Sequence, residues 1–373
     1  MNQLARGCQL LMPSCRIKCL RTFRVSLIAV MIAGTICGAH GQNEAVQGRL
    51  ITSLGVAVNS RTHKVYAVNE SEDSVSITDE RTGSTKSVAV GKSPIALAIN
   101  RLTNRIYVVD TGSDAISVID GRDDKVIATI KGGSHPYTLA VNEATNKAYL
   151  TYTYDNIVTV VDGVTNATQS IKTGSADGIA IDPASNTLFL MTYEAGDVRI
   201  VNAATGAITK VAVGPHIWGM TFDESSKTLY LAHTGTADIA ALDENTHEVT
   251  KIAVGSIPCA VAVNPITHTI YAVNYGDGTL SVIDAKQRRV IATLNVGTHP
   301  QAVEVDAVHN RIYVANVHGD SVTVIDGAKN IVIGTANAGR NPYALAVDPD
   351  TDRIYAANYG QPAVTRVDAS GVK

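Results

Sequence analysis

Cysteine is almost missing from this chain outside its first stretch. Cys8, Cys15, Cys19 and Cys37 precede residue 42, and Cys259 stands alone in the rest of the 373 residues. No disulfide can form within that longer part, so packing must hold it. Rings are few, with one Trp and three Phe, which excludes a ladder of aromatics stacking along a polysaccharide or a nucleic acid. A surplus of positive charge is missing too: the net charge is −3, which rules out a strongly basic nucleic-acid binder. No apolar period near 3.6 persists for ten residues, so helices are not expected. CxxCH, HExxH, a P-loop and GxSxG are absent, which removes covalent haem attachment and the zincin, phosphate-loop and serine-hydrolase chemistries. With 45% hydrophobic and 17% charged residues, the chain can still bury a large core.

The first 41 residues differ from the rest. Arg6, Arg16, Lys18, Arg21 and Arg24 precede an apolar run, Val25 to Ile36, followed by the small residues Gly38, Ala39 and Gly41, with no acidic residue among them. This is the order of a secretory signal peptide cleaved after Gly41. The run falls short of the ~20 residues of a membrane span, and an uncleaved anchor is the alternative. Ile36 directly before Cys37 is a poor lipoprotein signal. The expectation is export to the periplasm or the medium, with no membrane span in the mature chain. Residues 42–373 carry 26 basic against 34 acidic residues, a net charge of −8, so nucleic acid is not expected as a partner.

Residues 42–373 read as one domain made of a unit repeated eight times. Units start at Gly48, Gly91, Gly133, Gly174, Gly214, Gly255, Gly297 and Gly339. An Asn or Asp ends the first apolar run of each (Asn59, Asn100, Asn142, Asp182, Asp223, Asn264, Asp306, Asp348). An aromatic follows seven residues later (Tyr66, Tyr107, Tyr149, Phe189, Tyr230, Tyr271, Tyr313, Tyr355). An Asp or Asn ends the third run (Asp79, Asp120, Asp162, Asn202, Asp243, Asp284, Asp326, Asp368). Each unit reads as four short strands rich in β-branched residues; in the second they are 95–99, 105–109, 115–119 and 125–130. A repeat of about 40 residues with four strands is the pattern of a β-propeller blade. The fold class is therefore all-β, a propeller of four-stranded antiparallel blades, eight by this count with seven as the alternative. The recurring Asn and Asp are read as turn caps and the blade Tyr as a packing residue. The last unit lacks a fourth strand, and Glu44-Ala45-Val46-Gln47-Gly48 matches Ser87-Val88-Ala89-Val90-Gly91. Residues 43–47 are predicted to pair with the last blade and close the ring, which removes an open edge.

The segments IYAVN (270–274), IYVAN (312–316) and IYAAN (354–358), with the flanks SVIDAKQRRVIATLNVG (281–297) and VGTHPQAVEVD (296–306), resemble the YVTN-type, YncE-like β-propeller repeats. The resemblance covers about residues 48–373. It implies a propeller, ordinarily of seven blades, in an exported binding or surface protein, and it assigns no activity. Units three to five depart most: Phe189 replaces the Tyr, and YLTYTYDN and FLMTYEAGD lack the Asn.

Ligand chemistry is expected on the face where outer strands lead to the next inner strands and second strands lead to third strands, around the channel. Two residues after their starting glycines stand His135, His216, His299 and Asn341, followed by Tyr137, Trp218 and Tyr343. His233 and His318 lie on the facing loops, and the hairpin register sets His299 opposite His318 and Trp218 opposite His233. These nine residues are the candidate ligand-binding groups. If a metal binds, His135, His216 and His299 are its candidate ligands, since neutral imidazole suits Zn, Cu, Ni or Fe. Solvated loop imidazoles are the plain alternative, because His63, His247, His268 and His309 fall on the other face. Glu70, Asp110 and Glu194 with Asn69, Asn274, Asn316 or Asn358 form a weaker cation reading. Cys259, inside IPCAVAV, is read as a buried inert thiol. No cofactor is predicted beyond this divalent-metal reading. The functional expectation is a monomeric, exported, non-enzymatic propeller that binds a protein partner or a small ligand. A metal-assisted lyase or hydrolase, or a structural envelope or surface protein, are the alternatives. Closure has a direct check: deleting residues 42–47 lowers the melting temperature and promotes association, and an unchanged melting curve removes the idea.

Overall fold

The computed structural model describes residues 55–361 and 364–369. They form eight antiparallel sheets, each with its strands in chain order. Among the described residues there is no α-helix, only three single 3-10 turns, Glu70–Glu72, Thr111–Ser113 and Val317–Gly319. Seven sheets have four strands, and the eighth has three among the described residues. The inner strands of blades 1 to 8 are Val56–Asn59, Pro94–Asn100, Pro136–Asn142, Gly178–Asp182, Ile217–Asp223, Pro258–Asn264, Pro300–Asp306 and Pro342–Asp348. Each lies against the next and the last lies against the first. The molecule is an eight-bladed β-propeller, so the seven-bladed alternative falls away. In blade 2 the strands run Pro94–Asn100, Arg105–Asp110, Ala115–Asp120 and Lys125–Lys131, within a residue of expectation at each end. The proposed pairing of residues 43–47, like the leader segment, lies outside the described residues.

Burial differs by strand. The second strands, such as Arg105–Asp110, are buried at every position after the first, because both faces meet neighbouring blades. The inner strands are apolar but half-open, since one edge faces the channel. The outer strand Lys125–Lys131 alternates between exposed and half-buried positions. The hydrophobic clusters straddle blade boundaries. Tyr66, Val68, Val75 and Ile77 of blade 1 pack with Leu97, Ile106, Val108 and Ile119 of blade 2. At the closing seam, Val56, Val65 and Ala67 of blade 1 pack with Ala344, Ala346, Tyr355 and Ala357 of blade 8. The blade tyrosines are buried as expected. Two of their hydroxyls bond into the next blade, Tyr149 Oη donating to Asn186 Oδ1 at 2.8 Å and Tyr313 Oη to Asp352 Oδ1 at 3.1 Å.

The first landmark of each unit has two roles. As expected it caps its turn: Asn100 Oδ1 accepts from the N–H groups of Leu102 and Thr103 at 3.0 and 3.1 Å. Its amide then crosses the blade boundary. Asn100 Nδ2 donates to Asn146 Oδ1 at 2.8 Å, Asn59 to Asn104 at 2.7 Å and Asn264 to Asn310 at 2.9 Å. The acceptor is the turn residue at positive φ (Asn104 56°, Asn146 52°, Asn310 50°), a conformation Asn tolerates better than most residues. An Asp landmark meets a different partner. Lys227 Nζ donates to Asp182 Oδ2 at 2.6 Å, and His63 faces Asp348. Asp306 meets Asp352, and there His309 (2.7 Å from Asp306) and Arg311 (2.9 Å from Asp352) bring the positive charge.

This coupling can be tested by exchange. Asn100→Asp keeps the turn bonds but sets a carboxylate against Asn146 Oδ1, and should cost about 1–3 kcal/mol in urea denaturation. Adding Asn146→Lys copies the Asp182–Lys227 pair and should recover most of the loss. A double variant no more stable than the single one would show that the pair does not lock the blades.

Candidate functional site at the channel mouth

A backbone irregularity builds the mouth. In blades 2, 3, 5, 6, 7 and 8 the inner strand carries a β-bulge at its start, as between Pro94 and Ala96 or Ile217 and Gly219. A bulge residue leaves the ladder and its side chain is re-aimed. Tyr137, Trp218, Cys259 and Tyr343 occupy these positions. Just before them, His135, His216, Ile257, His299 and Asn341 have φ between 50° and 63°. Their N–H groups meet the facing loop: His135 N donates to Asp114 Oδ1 and Asn341 N to Asp320 Oδ1, each at 2.8 Å.

Rings crowd this mouth. His135 meets Tyr154 edge-on at 5.1 Å between centroids. Tyr193 contacts both His216 (5.3 Å) and Trp218 (5.9 Å). Tyr275 packs on His299 at 4.6 Å. His299 and His318 bring their Nδ1 atoms to 2.9 Å, but not through the expected register: the bulge between Pro300 and Ala302 shifts this ladder by one as well, and it is the Val317 N–H that donates to the His299 carbonyl. Burial and the neighbouring His318 hold the pKa of His299 below its ordinary value. Tyr343 stacks on Tyr359 at 4.4 Å and fills the space a Cβ of residue 55 would need, so Gly stands there. Tyr137 and Asn341 are half-buried on the same rim.

Two sequence expectations need correction. His233 is fully buried inside blade 5. Its Nε2 lies 3.2 Å from the Gly214 carbonyl and its Nδ1 lies 2.9 Å from Asp238 Oδ1. The bulge shifts the register by one, so His233 pairs with Ile217 and Trp218 has no strand partner. His135, His216 and His299 are not gathered either. Among the described residues, the groups with three ligating atoms within 4.8 Å of one another are His63, Glu80, Asp348 and Asp306, His309, Asp352. The recurrent histidine follows the backbone: His63, His135, His216, His247, His268 and His299 all have positive φ, where His is among the residues best tolerated.

His233 belongs to another series, the last residue of each second strand. Asn274 Nδ2 donates to Thr279 Oγ1 at 3.0 Å and Ser281 Oγ at 2.9 Å, and Asn316 and Asn358 repeat this with Thr323 and Thr365. These asparagines, the N of IYAVN, therefore tie the second strand to the third through their Nδ2 groups, while their Oδ1 atoms are buried without a hydrogen-bond partner. Asp110 fills the position in blade 2 and accepts from Ser117 Oγ at 2.6 Å. In blade 4 Arg199 takes over, donating to the carbonyls of Thr173 and Ser175.

Glu304 was missed. At its place in the inner strand other blades carry Ala98, Ala140, Ala180, Thr221, Ala262 and Ala346, a contrast visible only when the units are aligned column by column. It lines a cavity of about 240 Å³ with Met220, Thr221, Val261, Ala262 and Val303. Glu304 is half-buried, and its partial loss of water pushes the carboxyl up to about 7. Cys259 is buried, its sulfur 3.5 Å from the Pro300 carbonyl oxygen, and burial pushes the thiol up to about 12. Its burial is as expected.

Eight radial sheets around a channel, with loops gathered at its mouth, define a β-propeller protein. Residues 27–347 match the YNCE-like beta-propeller family, and the chain belongs to that family. It is also similar to the solved dihydro-heme d1 dehydrogenase NirN in complex with DHE (TM-score 0.71, 12% identity, covering 84% of this chain and 72% of that one). A second similar structure is Kuenenia stuttgartiensis hydrazine synthase (TM-score 0.60, 19% identity, covering 89% and 100%). At such identities the likeness is one of fold. No curated protein matches the chain.

The strand-end series yields a pH test. Burial pushes Asp110 up to about 6, so its charged form costs native stability above that pH, and the cost fades as pH falls through it. Asp110→Asn, the residue used in blades 1, 6, 7 and 8, should stabilise by roughly 1–3 kcal/mol at pH 8 and by less at pH 5. Melting temperatures at the two pH values decide it; equal shifts would exclude the ionised carboxylate as the cause.

Proposed function

We propose that the protein is exported and that its channel mouth binds a small, flat organic ligand bearing a protonated nitrogen. The rings of the ligand would lie among Tyr193, Trp218, Tyr275 and His299, and the nitrogen would reach Glu304. The observation that carries this reading is a mouth lined with paired rings above a cavity whose wall holds one carboxyl group. Trp218 precedes the Thr221 level of the cavity by three residues, about 10 Å along a strand, the length of a bicyclic amine with a short arm. Aromatic faces attract cations, and a desolvated carboxylate gains most from an opposite charge. Export is supported by the charged, apolar and small-residue order of residues 1–41. The reading is of binding rather than catalysis: the Cys259 thiol is inert, and a metal-assisted lyase would need imidazoles that lie here on separate blades.

Trp218, the sole Trp of the chain, reports directly on the site. Titration with aromatic monoamines should change its emission and give heat by calorimetry, and the matching aromatic acids should not. Glu304→Gln should weaken amine binding at least tenfold. With a carboxyl near 7, binding by the ionised form should fall about tenfold from pH 8 to pH 6. Equal binding of acids and amines, or a Glu304→Gln variant that binds normally, would overturn the reading.

A further inference from the structure

The seam between blades 8 and 1 holds a cluster that the mouth does not use. Asp348 ends the inner strand of blade 8. His63 is the turn residue of blade 1 at φ 55°. Glu80 follows the third strand of blade 1, Ser74–Asp79, and its N–H donates to the His63 carbonyl at 2.8 Å. Both carboxylate side chains are fully buried. His63 Nδ1 lies 3.6 Å from Asp348 Oδ2 and 3.8 Å from Glu80 Oε2. Charge-assisted hydrogen bonds are about 2.7–2.9 Å long, so neither separation is one. Asp348 accepts from the Asp350 N–H and the Thr351 hydroxyl, each at 3.1 Å. The Tyr355 hydroxyl and the Asp348 carboxyl neighbour Glu80, but neither makes a well-formed hydrogen bond to its carboxylate oxygens, and His63 Nδ1 is likewise buried without one, a costly state for polar groups. Donor atoms about 2.1 Å from an ion in a tetrahedral shell stand about 3.4 Å from one another, close to the spacing found.

The chain carries its own control. At the junction of blades 4 and 5, Asp182, Lys227 and Glu244 hold the places of Asp348, His63 and Glu80. There the Lys227 ammonium contacts Asp182 at 2.6 Å, and the Ser185 hydroxyl donates to Glu244 Oε1 at 3.2 Å. His63 brings no fixed charge and does not reach the acids. Arg353 lies close, but it donates to the main-chain carbonyl of Glu80.

We propose that His63, Glu80 and Asp348 bind one divalent first-row metal ion, Zn2+ or a close analogue, that bridges blades 8 and 1 and clips the ring. One imidazole with two carboxylates favours such an ion over Ca2+ or Mg2+, which take oxygen donors.

The test is melting of chelator-treated, dialysed protein with and without Zn2+ alone, with metal stoichiometry measured after gel filtration. Wild type should retain one equivalent and melt roughly 5 °C higher with Zn2+. Co2+ should give visible absorption bands. Glu80→Gln should lose most of the shift. His63→Lys copies the Lys227 arrangement, at a φ that Lys227 already adopts (52°). It should melt at or above apo wild type and ignore Zn2+, which separates loss of the site from loss of the fold. No retained metal and no shift in wild type would overturn the proposal and leave a carboxyl pair sharing a proton. An undiminished shift in His63→Lys would overturn it by placing the metal elsewhere.

Discussion

Each sheet of this protein has two apolar faces and can cover neither alone. Everything else in the structure follows from that. The second strands are buried on both sides by adjacent blades, with a tyrosine or phenylalanine at the centre of each. The clusters that bury them each combine residues from neighbouring blades. Stability is therefore a property of junctions, and the ring must close for the eighth junction to exist. Val56, Val65 and Ala67 meeting Ala344, Ala346 and Tyr355 is the apolar part of that closure.

Apolar faces bring blades together but do not fix how one slides on the next. Polar pairs do, because a buried donor or acceptor that misses its partner is penalised. The landmark of one blade and the positive-φ turn residue of the next are matched in kind, amide with amide (Asn100 and Asn146) or acid with base (Asp182 and Lys227). These residues are about 45 positions apart, yet each choice is intelligible only with its partner. A chain built of near-identical units gains from such matching, since mixed pairing disfavours a blade docking out of turn.

Strand number, strand ends and turn caps were legible because they depend on local pattern: alternation, β-branching and the Asn or Asp at fixed spacing. The His299–His318 contact is made by the side chains and not by the ladder, because the bulge between Pro300 and Ala302 moves that register by one. The Trp218–His233 pairing failed for one reason, the bulge between Ile217 and Gly219, which no residue type announced. The cross-blade bonds were missed because a turn cap explains an Asn fully when only its own unit is considered. Glu304 was missed because attention went to loops, whereas its oddity is a carboxyl in a column of Ala and Thr.

In a repeat protein a feature present in every unit describes the unit, and information about function lies where the units differ. That rule must be applied after the backbone has been accounted for. Histidine at His135, His216 and His299 breaks the repeat by residue type but meets a conformational demand that Ser93 and Asn341 meet equally well, so the imidazoles alone signal little. Glu304 meets no such demand. A carboxyl there obeys no rule of strand, turn or packing and raises the cost of an otherwise apolar wall. The same logic weighs the closing seam above the other junctions: Lys227 pairs with Asp182 and Ser185 donates to Glu244, whereas His63, in the equivalent place, stands 3.6 Å or more from both acids. Under the two proposals made above, Glu304 facing the channel and Glu80 inside a junction are the carboxyls to which positive charge from outside would come.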